Sequence, residues 1–312
     1  MEPGLLKSPD WPLLIDVYFF LGGLAGGAFV IATIATLLDA RRFRDIVRAG
    51  YYLAFLAILP GPLFLILDLG LPTRFLHMLM VSKPSTEIGM GALVLGPFHL
   101  KIFSPMSAGA WALLAFSVCA FLAALDVFLE HRGGRSLGGL RRGVGVIGGV
   151  FAFFIAAYPG VLLGATARPL FISAHWLGAL FLAIGATSGG AAIALVLNLL
   201  GGQARESLPR LMRFVTFALI LQLAALALFV ISVSISGSVG IGKALELLLA
   251  GPFSPTFWIG AVIVGLLIPL GLQFGGVLRR GKPSIAVLAS VLILVGGFLT
   301  KYVIIAAGQA VS

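Results

Sequence analysis

Apolar residues run through this chain in long blocks separated by short polar stretches. A helix crossing the hydrocarbon of a bilayer needs roughly 20 mostly apolar residues. Blocks at 12–38, 50–69, 107–129, 143–165, 171–200, 210–235, 255–278 and 285–307 all reach that length. The pattern therefore predicts an all-α polytopic membrane protein with eight transmembrane helices. The second block ends at Asp68 and runs into Gly70, Pro72, Arg74 and Phe75, and the third starts behind Ser104-Pro105. Charges at such a boundary are expensive unless something uses them. Residues 70–106 are too long for a simple turn, and their apolar piece Phe75 to Val81 predicts a short interfacial helix. Residues 236–254 form the next longest connection on that side, with an amphipathic stretch around Lys243 and Glu246.

Composition agrees with the pattern. A chain of 312 residues that is 60% hydrophobic and 10% charged is too apolar for a soluble domain. The net charge of +10 raises nucleic acid as a partner, but the position of the charges argues for lipid. Arg41, Arg42, Arg44 and Arg48 follow the first segment; Arg132, Arg135, Arg141 and Arg142 follow the third. Arg205, Arg210 and Arg213 follow the fifth, and Arg279, Arg280 and Lys282 the seventh. By the positive-inside rule these loops are cytoplasmic and both termini lie outside. The first segment follows Glu2, Lys7 and Asp10 without a basic run or a small-residue cleavage site, so it is expected to stay in the mature protein. The single Cys119 cannot form an internal disulfide or a thiolate cluster and reads as a small packing residue.

The two halves echo each other. Gly22-Gly23-Leu24-Ala25-Gly26-Gly27-Ala28 and Gly185-Ala186-Thr187-Ser188-Gly189-Gly190-Ala191 are both G-x-x-x-G-G-A, the small-residue spacing that lets helices approach closely in lipid. Gly96-Pro97-Phe98 with Ser104-Pro105 precedes the third segment, and Gly251-Pro252-Phe253-Ser254-Pro255 precedes the seventh. Repeats of four helices enter from one side, so they are parallel. The expectation is two four-helix bundles: residues 1–142 with 143–170 completing the first, and 171–312 forming the second.

Polar side chains gather near the outer level: Asp16, Asp68, Tyr158, Arg168, His175, Lys301 and Tyr302. An acid, a phenol, a histidine and a base at one depth suit a polar head group whose tail lies among Phe, Leu and Ile, which is what a quinone needs. Each also has a structural reading: Asp16 in the interface near Trp11, Asp68 paired with Arg74, His175 as an interfacial residue, Lys301 snorkelling, Tyr158 in an aromatic belt. A transmembrane haem needs two facing histidines. His77 and His99 fall in the long outer loop, His131 at the inner surface and His175 at a helix end, so neither haem nor metal is expected. Asp126 and Glu130, with Gln222, Gln273 and Asn198, either belong to a proton path or, for the acids, balance nearby arginines.

Several of these pieces together resemble the NrfD/polysulfide reductase family of membrane subunits. They are Trp11 with Tyr18 through Phe29, Asp68-x-Gly70-x-Pro72-x-Arg74-Phe75, Ser104-Pro105-Met106-Ser107-x-Gly109-x-Trp111 and Tyr158-Pro159-Gly160-Val161-Leu162-Leu163. The resemblance implies a two-bundle subunit in a prokaryotic cytoplasmic membrane, exchanging electrons between quinone (menaquinone or ubiquinone) and a ferredoxin-like iron-sulfur partner on the outer face. A molybdopterin catalytic subunit, or multihaem cytochromes, would complete the complex. It also implies a quinone site at Asp16 and Tyr158. Where some members carry a histidine one turn after the polar residue, this sequence has Phe20. Asp68, Arg74, His77, His99, Arg168 and His175 are then expected at the proton exit or the docking surface. A secondary transporter and a non-catalytic anchor are the competing classes, separable by co-purification with an iron-sulfur protein and by quinone-analogue binding.

Overall fold

The computed structural model describes residues 11–69, 71–79, 92–95, 98–101, 104–134, 138–166, 168–236, 238–274 and 283–311. Among these, eight helices are long and apolar enough to cross a membrane: α1 (Leu13–Asp39), α2 (Arg44–Asp68), α3 (Pro105–His131), α4 (Gly138–Gly164), α5 (Leu177–Leu200), α6 (Gly202–Ile235), α7 (Thr256–Phe274) and α8 (Ser284–Gln309). The protein is therefore a multi-pass membrane protein.

α1 and α5 are the central helices. α1 packs against α2, α4, α5 and α8, and α5 packs against α1, α4, α6 and α8. They meet through the two G-x-x-x-G-G-A motifs. A Cβ placed on Gly27 would lie 2.0 Å from the Gly185 carbonyl oxygen, and one on Gly189 would lie 2.3 Å from the Ala28 nitrogen. No side chain larger than hydrogen fits at either position, so the backbones themselves form the contact. Around this crossing sit fully buried Phe29, Phe181 and Ile193. The adjacent residue of α1, Gly26, faces α4, where a Cβ would meet the Ala152 carbonyl oxygen at 2.6 Å. Cys119 Cβ packs where Gly148 of α4 leaves room, as a small residue between α3 and α4 should.

Several boundaries differ from the hydropathy reading, each for a local reason. α2 is regular helix over Arg44–Ile58 and again over Gly61–Asp68, broken where Pro60 cannot continue the hydrogen-bond ladder. α5 starts at Leu177 rather than 171, because Pro169–Ile172 closes a separate short turn. α7 is wound as a π-helix over Thr256–Leu267 before Ile268–Phe274 returns to α geometry. In the long connection after α2, a 3-10 helix occupies Pro72–Met78, close to the expected interfacial helix, while 80–91 lie outside the described residues. The same connection holds a short two-stranded antiparallel pair, β1 (Ala92–Leu95) with β2 (Phe98–Lys101), within an otherwise all-helical fold. The amphipathic stretch between α6 and α7 is a helix, Val239–Leu249, whose cap Ser238 accepts from the Ile241 N–H at 3.4 Å.

Overpacking a tight contact costs about 1–3 kcal/mol, and more where backbone must move. Gly27→Leu and Gly189→Leu should each abolish recovery of a folded subunit in detergent. Gly139→Ala, with nothing within 4 Å of its new methyl group, should leave the thermal midpoint unchanged.

Candidate functional site

Two tyrosines define a polar spot among α1–α4, near the N-terminal end of α1. Tyr158 lies in α4 and its ring lies against Gly109 of α3, where a Cβ would come within 2.3 Å of Cζ. Phe154, one turn earlier, stacks on it with ring centroids 5.5 Å apart. The sequence Tyr158-Pro159-Gly160 sets this orientation. Gly160 faces α5 so closely that a Cβ would be 2.5 Å from the Gly178 nitrogen, which turns Tyr158 to the opposite, α3 side. Tyr18 of α1 lies against Gly61 at the break in α2, with its Cε2 3.1 Å from where a Cβ would stand. The two phenols are within electrostatic range of each other. Among the described residues, neither hydroxyl bonds to another protein group, so both are free to donate to a ligand.

Asp16 is brought to a different face of α1. At 100° per residue, Asp16 and Phe20 share a stripe with Gly23, whereas Tyr18 and Gly22 lie well over a quarter-turn away. That stripe faces α5 and α8: Gly23 abuts Gly185 and Lys301, and the Phe20 ring meets Phe298 edge-on at 5.7 Å. Asp16 is 3% exposed, and its Oδ1 is buried without a hydrogen-bond partner. Thus Asp16 pairs with Phe20, and Tyr158 with Tyr18, on two sides of one helix. No hydrogen bond joins Asp16 to Tyr158 among the described residues.

The other expected residues divide by exposure. Asp68, Arg74, His77 and His175 are exposed at helix ends and in loops, and no ion pair joins Asp68 to Arg74 among the described residues. His175 lies in the turn before α5 rather than opening it. His99 sits in β2 opposite Val94, with its side chain outside the described set. Arg168 departs most from the surface role expected of it. It is 2% exposed, and its guanidinium donates to the Gln309 carbonyl at 2.6 Å. The Gln309 side chain in turn accepts from the Trp11 N–H and donates to the Trp11 carbonyl, tying the start of α1 to the end of α8. Arg168 and Gln309 therefore anchor the start of α1, the helix that carries Asp16. Lys301, which the sequence offers as either a polar site group or a snorkelling side chain, is fully buried.

At the opposite end, Arg141 of α4 bonds Asp126 and Glu130 of α3, each at 2.5 Å. Tyr51 stands between Thr33 and Thr36 close by. These acids balance arginine, and Gln222 and Gln273 bond Thr187 and Thr216 respectively. The hydropathy pattern does not single out Tyr18 as a site residue, because it sits among apolar neighbours. Its spacing of four residues before Gly22, on the face that α4 uses, is the available signal.

Fold and site define the class: a polytopic helical membrane protein with buried polar side chains gathered around the N-terminal half of its central helix α1. The sequence pattern of the family described as "Polysulphide reductase, NrfD" matches residues 2–312, so the chain belongs to that family. Among curated relatives, it is 26% identical to the NrfD homolog of Haemophilus influenzae over 96% of this chain and 94% of that one. It is 27% identical to a polysulfide reductase chain of Wolinella succinogenes, over 96% and 93%. A shorter stretch, 26% of this chain and 19% of the relative, is 32% identical to a selenate reductase subunit of Mesobacillus selenatarsenatis.

Removing one partner of a buried ion pair costs about 3–5 kcal/mol, whereas an exposed pair is worth under about 1 kcal/mol. Arg141→Gln should strongly lower the thermal midpoint of the detergent-solubilised subunit. Arg44→Gln, whose link to Glu130 is 3.8 Å and half-exposed, should leave it nearly unchanged.

Proposed function

We propose that this protein is the quinone-interacting membrane subunit of a respiratory oxidoreductase complex, exchanging electrons between the quinone pool and a partner docked on its outer face. The observation that carries the reading is the pair of free phenols, Tyr18 and Tyr158, buried at the outer end of α1–α4 in a member of the NrfD family. A quinone head has two carbonyl oxygens that need donors and a ring that needs flat apolar walls. Tyr158 and Tyr18 supply hydroxyls, and Phe154 supplies a wall. Quinone, when bound, supplies the two-electron chemistry.

The protein positions the ring and handles protons. Tyr158 holds one quinone oxygen by a hydrogen bond. Asp16, buried and without a partner on its Oδ1, exchanges the proton across α1, with Phe20 packed beside it against Phe298 of α8. Asp68, Arg74, His77 and His175, exposed on helix ends and loops, and His99 of the same long connection are assigned to the outer side, where the proton leaves and the partner docks. The names of two relatives, one a polysulfide reductase chain and one a selenate reductase subunit, support a ferredoxin-like iron-sulfur partner followed by a molybdopterin subunit.

The same reading assigns residues 1–170 and 171–312 to two parallel four-helix units in a prokaryotic cytoplasmic membrane, with both termini outside. Support comes from corresponding contacts: α1 packs on α2 and α4, and α5 packs on α6 and α8.

Loss of one hydrogen bond is worth about 1 kcal/mol, or about fivefold. Tyr158→Phe should lower quinol-dependent turnover of the assembled complex by about that factor. Asp16→Asn should lower it about a hundredfold, the lower range for a lost proton acceptor. If both variants assemble and turn over normally, the site assignment is wrong.

A further inference from the structure

Lys301 is the most heavily buried cation among the described residues. It lies in α8 with no exposed surface, and its Nζ donates to the Phe19 carbonyl of α1 at 2.7 Å and stands 4.8 Å above the Phe181 ring of α5. Gly23 makes this possible, since a Cβ there would stand 2.8 Å from Nζ. An ammonium carries three donors, and one carbonyl and one ring face satisfy only part of it. Among the described residues no carboxylate pairs with it. A charge held this way inside a membrane protein is costly and marks a functional position.

Its surroundings suggest the function. Asp16 lies on the same stripe of α1, seven residues and about 10 Å outward from Gly23 along the axis, with its Oδ1 also lacking a partner. One turn inward on α8 from Lys301, Gly297 leaves room for Ser188 of α5, whose buried Oγ has no hydrogen-bond partner and stands 2.8 Å from where a Cβ would be. An acid, an amine and a hydroxyl, each incompletely bonded, thus follow one another inward along the α1–α5–α8 junction. Helix packing alone gives no reason for three such groups in one seam.

We infer that Lys301 is a proton-relay residue, positioned to exchange a proton with Asp16 and so to extend the proton route inward from the quinone site toward Ser188. In the step, the O–H bond of the protonated Asp16 carboxyl breaks, the proton passes along hydrogen-bonded water bridging the roughly 10 Å between the two groups, and an N–H bond forms on the Lys301 amine, leaving carboxylate and ammonium. The reverse transfer resets both groups. Lysine can give up a proton in a dry site, which arginine cannot. The inference rests on the proposed role of Asp16 in quinone chemistry.

The test uses the complete complex carrying Lys301→Met, Lys301→Arg or Lys301→Ala. Co-purification of the partner subunits reads assembly, and binding of a quinone analogue reads the site. Analogue affinity and KM for quinol should match the wild type, while kcat falls about a hundredfold in all three, the size of effect expected for a lost proton-transfer group. Ethylamine, able to enter the space left in Lys301→Ala, should restore turnover, whereas tetramethylammonium, which carries no proton, should not. Undiminished kcat in Lys301→Met or Lys301→Arg, or equal rescue by both cations, overturns the relay. Loss of assembly in all three variants overturns it too, in favour of a structural cation. Failure of the wild-type complex to bind the analogue defeats the underlying quinone reading instead.

Discussion

The backbone-to-backbone crossing of α1 and α5 is the constraint on which the rest of the structure depends. Inside a bilayer, apolar side chains gain little by leaving lipid for protein, so association must come from close packing and hydrogen bonds. Gly27 against Gly185 and Gly189 against Ala28 provide the closest packing available, with no side chain between the two helices. α4 then lies against Gly26, α8 against Gly23, and α2 against Ala28 and Ala32 through Gly50. Each of these approaches is possible because α1 presents hydrogen or methyl on nearly every face over one stretch of two turns.

That thinness has a chemical consequence. A helix with bulky residues on all sides would keep the groups around it apart, whereas α1 lets neighbours touch its backbone. Lys301 reaches the Phe19 carbonyl across the gap at Gly23, and Tyr18 settles onto Gly61 where α2 is broken by Pro60. The same helix therefore serves two environments, phenols toward α2–α4 and charged groups toward α5 and α8.

Much of the fold is legible in the sequence. The eight spans can be read from hydropathy to within a few residues at most ends, because a bilayer imposes one length on every crossing element. The close helix pair can be read from its glycines, since no other residue permits that approach. The site is legible only in part. Asp16 and Tyr158 stand out as polar residues in apolar blocks, yet nothing local says that they occupy different sides of α1. A short polar loop ordinarily lies at the surface, which is where the sequence points for Arg168; its burial depends on Gln309, which is 141 positions distant. Lys301 has an aliphatic stem long enough to snorkel, and only the arrangement of α1 and α5 around it closes that option.

By itself, the sequence determined that this is an eight-span helical membrane protein, which pair of helices meets without side chains, and which family it belongs to. Those properties follow from composition and spacing, where the physics is local: apolar length against bilayer thickness, and hydrogen against Cβ. Tertiary structure alone decided which polar residues share a seam. Whether a lysine meets water, a carboxylate or a backbone carbonyl is fixed by elements hundreds of positions apart, brought together by packing that no single segment encodes.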